Sequence, residues 1–361
     1  MTTDTLTTAK TRRFTLGLDR FSGLYLWALF IVLFTLLAPR SFPTMGTVHL
    51  LASTQSVAAI VALALLIPMV TGQFDLSIGA IANFSGILVV ILQLNGIIDP
   101  LTSLLVGTAA GALVGLVNGL IVVKLKIDSF ITTLAMGSIL AAAQIIITGN
   151  REPLPVADPV FSGITQTSVF GFQLIFLYLL ILAVIVWWFL ERTPAGRFMR
   201  AAGTDREAAR LSGVRVDRWT VVALTLSGTI CGLAGVLFVS LTGPSLEFGA
   251  SLLLPAFAAV FLGSTQLVPG RPNVWGTVLA IFVLATGVQG LQLLSGAQWI
   301  ASLFNGLALI AAVGLAVNRR QRLMQSAKSK AGRRMMRRGR AEAAAANGEV
   351  EPKNEGVVAT K

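Results

Sequence analysis

Residues 191–219 read ERTPAGRFMRAAGTDREAARLSGVRVDRW. Seven arginines (Arg192, Arg197, Arg200, Arg206, Arg210, Arg215 and Arg218) crowd this stretch, while long apolar runs with almost no charge flank it. A polar segment of this length, with its own turn and capping residues, reads as a cytoplasmic platform presented to a partner. Its flanks decide the fold. Apolar runs of about 17–25 residues are long enough to cross a hydrocarbon core roughly 30 Å thick.

The composition agrees. Hydrophobic residues make up 55% and charged residues only 12%, with a mean hydropathy of +0.79. Soluble chains carry about twice that charge. The fold class is therefore all-α, a polytopic transmembrane helical bundle of about ten spans. These fall at 21–38, 48–70, 78–94, 101–123, 129–148, 172–190, 220–241, 251–264, 274–294 and 299–317. The eighth is short enough to be partly re-entrant. Thr11-Arg12-Arg13-Phe14 faintly resembles an export signal, but Asp19 and Arg20 precede the apolar run and no small-residue cleavage site follows Leu37. The first span is thus an uncleaved helix.

Loop charge sets the orientation. With the N-terminus inside, cytoplasmic segments hold 26 Lys and Arg, and external loops hold only Arg40 and Arg151. Both termini are then cytoplasmic. Residues 1–20 form an N-terminal tail, 21–317 the membrane domain, and 318–361 a basic tail expected to be disordered. Positions 319–340 carry ten basic residues, suited to anionic lipid headgroups. The net charge of +12 therefore reflects topology, and nucleic acid is not an expected partner. One histidine (His49) and one cysteine (Cys231) make neither a zinc site nor an intrachain disulfide. The external loop 149–171, with Pro153, Pro155 and Pro159, reads as an ordered surface connection.

Within the spans, Gly107, Gly111, Gly115 and Gly119 recur every fourth residue and share one helix face, where a neighbouring backbone can approach closely. The junction Thr71-Gly72-Gln73-Phe74-Asp75-Leu76-Ser77-Ile78-Gly79 brings an acid next to apolar sequence. Asp75 and Ser77 suit capping of the following helix or lining of a polar pathway. Thr242-Gly243-Pro244-Ser245-Leu246-Glu247-Phe248-Gly249 echoes it at the equivalent place five spans later, as in inverted five-helix repeats with interrupted helices. The main polar residues of the spans are Asn83, Asn118, Gln144, Gln289 and Asn305. No set of buried charges suits an ion-coupled carrier, and no GxxxxGK[ST] phosphate loop supplies energy from within. Energy is expected from a separate ATPase on the cytoplasmic face.

Several segments in order resemble the permease subunits of ABC importers for ribose and related monosaccharides, over about residues 48–317. Gly72-Gln73-Phe74-Asp75-Leu76-Ser77-Ile78-Gly79 is similar to the family's GGIDLSVG. Asn118-Gly119 and Ser129-Phe130-Ile131-Thr132-Thr133-Leu134 resemble its NG…PFIxTL. Gly196-Arg197 and the run Ala202 to Val214 resemble GR…AxGxNxxAARLSGI. Ser129 stands where the family usually has proline, and Ser251-Leu252-Leu253-Leu254-Pro255-Ala256 lacks an acid usual there. A divergent branch carrying another small sugar or polyol is implied.

The resemblance implies a permease that pairs with a second copy, two cytoplasmic ATPase subunits and an extracytoplasmic sugar-binding protein, in a bacterial inner membrane. The chain is then not an enzyme and binds no cofactor itself; ATP–Mg sits on the partner. Residues 191–219 become the coupling element, through Arg197, Glu207, Ala208, Ala209, Arg210 and Gly213. Asp75, Ser77, Asn83 and Asn118 are expected near the pathway.

The stretch spells out two short helices. Thr193-Pro194 is a cap followed by proline at the first helical position, and Gly203 can end that helix. Thr204-x-x-Glu207 reads as a capping box, and Gly213 as a left-handed stop. Ala208, Ala209 and Leu211 form a narrow apolar surface beside Arg206 and Arg210. Two other transport readings remain: the branched-chain amino acid permease type, and a self-sufficient secondary carrier. A membrane enzyme lacks any nucleophile–base or metal constellation.

Overall fold

The computed structural model describes residues 18–267 and 270–315. Most of the tail expected at 1–20, and all of that expected at 318–361, lie outside the described residues. Among the described residues, ten long helices occupy the ten apolar runs. They are α1 (Leu18–Leu37), α2 (Met45–Val70), α3 (Ile78–Leu94), α4 (Pro100–Lys124) and α5 (Ser129–Thr148), then, after a loop, α7 (Leu174–Arg192), α10 (Val216–Thr242), α11 (Phe248–Ser264), α12 (Val274–Ser295) and α13 (Trp299–Leu315). Six of them (α2, α4, α5, α7, α10 and α12) are long and apolar enough to cross a membrane by length and composition alone.

Capping residues set many of the boundaries. Thr44, Asp99, Asp128 and Asn273 accept backbone N–H groups at the starts of α2, α4, α5 and α12. Gly149 and Gly296, both left-handed, close α5 and α12.

The loop between α5 and α7 is ordered. It holds α6 (Pro159–Gln166), capped by Asp158 with proline at its first position, and a two-residue hairpin, β1 (Ser168–Val169) against β2 (Phe172–Gln173). The sixth apolar run was expected to turn helical at 172. Phe172 and Gln173 pair with β1 instead, so α7 begins at Leu174.

The bundle is built around α2 and α10. The most apolar window of α2 is 78% buried and that of α10 61%, whereas those of α5 and α7 are each only 28% buried. The exposed faces of the outer helices are themselves apolar, with Leu105, Ile131, Ile139, Ile146, Ile181 and Ile185 pointing outward. In water such a surface aggregates; in hydrocarbon it is solvated.

Small residues join α4 to α10. A Cβ built on Gly111 would lie 2.3 Å from the Gly228 carbonyl oxygen, and one on Gly228 2.3 Å from that of Gly111. Gly232 meets the Gly107 oxygen, and Gly115 the Leu224 oxygen, at the same 2.3 Å. The last glycine of the ladder, Gly119, faces Val221. The helices run antiparallel, backbone against backbone. Such close packing suits spans that gain no hydrophobic drive from leaving lipid.

Candidate functional site

Two interruptions of helix define the interior. The first follows α2, whose last turn closes on the Pro68 carbonyl: it accepts from Thr71 N, Thr71 Oγ1 and Gln73 N. Gly72 then turns left-handed at φ +75°. Residues 73–77 are not helical. A non-helical backbone inside a membrane protein must find partners for its polar groups. Helix α5 supplies them: Phe74 N donates to Ser129 Oγ (3.1 Å) and Leu76 N to Thr133 Oγ1 (2.9 Å). The periods match, since residues two apart on an extended chain and four apart on a helix both span about 6–7 Å.

Asp75 is buried at the centre of this segment. Its Oδ1 accepts from Ser77 N (3.0 Å) and Ser77 Oγ (2.6 Å), and its Oδ2 from Ser227 Oγ of α10 (2.8 Å). Asn118 Nδ2 of α4 donates to Ser77 Oγ (3.0 Å). All four side chains are buried. Ser77 was expected to cap α3 with its side chain but does not, because its hydroxyl is committed to Asp75. Instead the acid ties three elements together. Ser227 lies eleven residues into α10, about 16 Å along its axis at 1.5 Å per residue.

The second interruption follows α10. Gly243 adopts φ 90°, ψ 173°, a region open essentially only to glycine. The Leu246 carbonyl accepts from Asn83 Nδ2 (2.7 Å) and Gln144 Nε2 (3.0 Å), while Asn83 Nδ2 also reaches Gln144 Oε1 (2.9 Å). Asn83 thus grips a backbone oxygen across the bundle. Gln166 of α6 donates to the Leu241 carbonyl (2.9 Å), satisfying a terminal acceptor of α10. The starts of α3 and α11 meet reciprocally: a Cβ on Gly79 would stand 2.1 Å from the Gly249 oxygen, and one on Gly249 2.3 Å from the Gly79 oxygen.

The arginine-rich stretch folds as α8 (Pro194–Thr204) and α9 (Arg206–Leu211). Thr193 caps α8 by accepting from Gly196 N, with Pro194 at the first position. Two expectations are corrected. Helix α8 continues through Gly203 to Thr204, and Asp205, not Thr204, caps α9 by accepting from Glu207 N and Ala208 N (both 3.1 Å). The Thr204 hydroxyl instead bonds back to the Arg200 carbonyl. Gly213, at φ +80°, does end α9: Gly213 N bonds Arg210 O, Val214 N bonds Ala209 O, and Val214 packs with Ala202, Ala209 and Val216. That is a Schellman motif with its hydrophobic contact.

This platform faces two ways. Arg200 bonds the Leu190 carbonyl (2.6 Å) and Glu191 (2.7 Å), folding α8 back onto α7, and Ala209 is buried. Arg197, Glu207, Ala208, Arg210 and Gly213 are exposed, and Leu211 is 89% exposed. Arg210 pairs with Glu207 (3.3 Å) and Asp217 (3.1 Å). Arg197, Arg215 and Arg218 make no ion pair among the described residues.

Platform and interior touch at one place. A Cβ on Gly203 would fall 2.1 Å from the Val70 oxygen and 3.0 Å from Gly72 N. Glycine is required there for contact, not for termination. Helix α8 therefore sits on the entrance to the first interruption, and the chain runs from that contact to Asp75 in three residues. Sequence reading overlooked Ser227, the hydroxyl pair Ser129–Thr133 and the glycines Gly228 and Gly232. The four-residue spacing of each pair was the available signal.

Residues 48–313 match the family described as branched-chain amino acid transport system / permease component. The chain is 30% identical over 294 residues to the fructose import permease protein of Rhizobium meliloti, covering 79% of this chain and 81% of that one. It is 30% identical over 298 residues to the ribose import permease protein of Bacillus subtilis, covering 82% and 91%. To the autoinducer 2 import system permease protein of an Enterobacter species it is 33% identical over 292 residues, covering 78% and 81%.

Proposed function

The chain is a multi-pass membrane protein of the branched-chain amino acid transport system / permease component family, and from that premise we propose that it is the membrane subunit of an ATP-driven importer for a monosaccharide or related small polyol. The relatives described above, named as import permeases for fructose, ribose and autoinducer 2, support the cargo class. The observation that carries the mechanism is the seat of α8 on the first interruption, Gly203 against Val70 and Gly72.

In this reading the ten long helices all span the bacterial inner membrane, with both termini cytoplasmic as the 26-to-2 split of basic residues favours. The reciprocal meeting of Gly79 and Gly249 supports two inverted halves of five helices. A second permease copy completes the pathway. Two ATPase subunits holding ATP–Mg dock on residues 191–219, where Arg197, Glu207, Ala208 and Arg210 offer contacts, Leu211 adds an apolar knob, and Ala209 and Gly213 fix the shape. An extracytoplasmic sugar-binding protein delivers cargo, and lipid surrounds the rest.

The mechanism is alternating access. ATP draws the ATPases together, the platform moves with them, and Gly203 pushes on the segment that leads to Asp75. Asp75, Ser77, Asn83 and Asn118 shape the pathway by fixing the two interruptions.

Reconstitution in proteoliposomes with the neighbouring ATPase and binding protein tests this. Uptake of labelled ribose, fructose or allose should require internal ATP and ignore proton or sodium gradients. Glu207→Arg with Gly213→Val should weaken ATPase association and abolish uptake while membrane insertion persists. Gradient-driven uptake without the ATPase contradicts the proposal. Uptake of leucine in place of sugars favours the cargo that the family description names.

A further inference from the structure

Helices α2, α11, α12 and α13 enclose a partly open cavity of about 300 Å³ beside the second interruption. Phe248, the first residue of α11, forms part of its wall, with Thr54 and Gln55 of α2, Ser251 of α11, Gln292 of α12 and Asn305 of α13. The remaining wall is aliphatic, and among the described residues no charged side chain lines it.

The hydrogen-bond state of these groups is informative. Thr54 and Ser251 donate to carbonyls of their own helices, Leu50 O (2.8 Å) and Phe248 O (2.7 Å); the Thr54 oxygen also accepts from Gln55 Nε2 (3.5 Å), while the Ser251 oxygen has no donor among the described residues. The side-chain amides of Gln292 and Asn305 have no hydrogen-bond partner among the described residues. An amide on an apolar helix is costly unless another polar group meets it. Asn83 and Gln144 show the usual solution in this bundle, since each is bound to protein. Gln292 and Asn305 instead line a cavity that polar cargo can enter.

We infer that this cavity is a way-station for cargo, binding one neutral polyhydroxylated molecule of monosaccharide size. The inference rests on the sugar-import reading and gives that reading a place. The volume lies at the low end of the roughly 300–1,000 Å³ range of small-molecule sites. An amide offers a donor and an acceptor side by side, which suits adjacent hydroxyls. The Phe248 ring stacks on Phe238 and adds apolar wall to the cavity, against which the C–H face of a sugar ring can pack. A wall without charge among the described residues disfavours amino acids and phosphorylated cargo.

The test uses the full permease–ATPase complex with its binding protein in proteoliposomes, and labelled ribose, fructose and allose as probes. Asn305→Leu and Gln292→Leu should each cut the ATP-dependent uptake rate about tenfold, the loss of one hydrogen bond to cargo. ATPase activity stimulated by the loaded binding protein should stay within about twofold. Asn305→Gln should recover much of the rate. A second measurement does not depend on turnover: in a Cys231→Ser background, Ser251→Cys should react with a small methanethiosulfonate reagent, and saturating cargo should slow that reaction. Normal uptake in both leucine variants, or labelling indifferent to sugar, overturns the site while leaving sugar import intact. Failure of the unmodified complex to import any of the three sugars removes both.

Discussion

The two helix interruptions end alike, Leu-Ser-Ile-Gly running into α3 and Leu-Glu-Phe-Gly running into α11, yet they are held in opposite ways. In the first, backbone N–H groups and a buried acid are satisfied by four side chains, Ser77, Ser129, Thr133 and Ser227, and Asn118 braces the Ser77 hydroxyl. In the second, two amides converge on one carbonyl, and the acid, Glu247, is exposed. The first runs inward from the platform helix α8. The second opens on the cavity that Phe248 lines. A similar spelling therefore serves a fixed strut at one interruption and a lightly held edge at the other. The difference lies in what the neighbouring helices present.

The largest effect expected from breaking this contrast is at Asp75. Asp75→Leu leaves three buried donors without an acceptor and should cost about 3 kcal/mol or more, at 1–3 kcal/mol per orphaned group. Thermal unfolding in detergent should show a drop of several degrees, and insertion yield should fall.

Asn83→Leu and Gln144→Leu should each cost about 1–2 kcal/mol. The double variant should cost less than their sum, because both serve the Leu246 carbonyl. Strict additivity in that cycle shows that the amides act separately. The smallest effect belongs to Glu247→Gln, which should lie within about 0.5 kcal/mol because the group is exposed and makes no ion pair among the described residues. A destabilisation like that of Asp75→Leu would make the two interruptions equivalent.

Hydropathy made the ten long helices legible, because each apolar run is separated from the next by capping residues, turn residues or charge. The lateral partners were less legible. Asp75 was visible as an acid in apolar surroundings, but its partner Ser227 lies 152 residues away, Asn118 lies 41 residues from the Ser77 it holds, and no local pattern joins them. In the platform, Thr204 and Asp205 are adjacent candidate caps. Sequence grammar favoured the Thr204–Glu207 pair. The contact of Gly203 with Val70 and Gly72 keeps α8 helical past Gly203, which passes the capping role to Asp205. Ser129 was visible only as a substitution for proline. In the fold its hydroxyl holds the Phe74 N–H, a role proline has no side-chain group to perform.

The central claim is that drive from the ATPase reaches the interior through α8 and the first interruption. The most direct test is ATP-dependent sugar uptake by Gly203→Ala complexes, with ATPase association and membrane insertion measured on the same samples. A methyl group there would collide with the Val70 oxygen and lift α8 from its seat. The account predicts that uptake falls at least about tenfold while the ATPase stays bound and the permease stays inserted. Uptake at the unmodified rate, with the same ATPase bound, would contradict it.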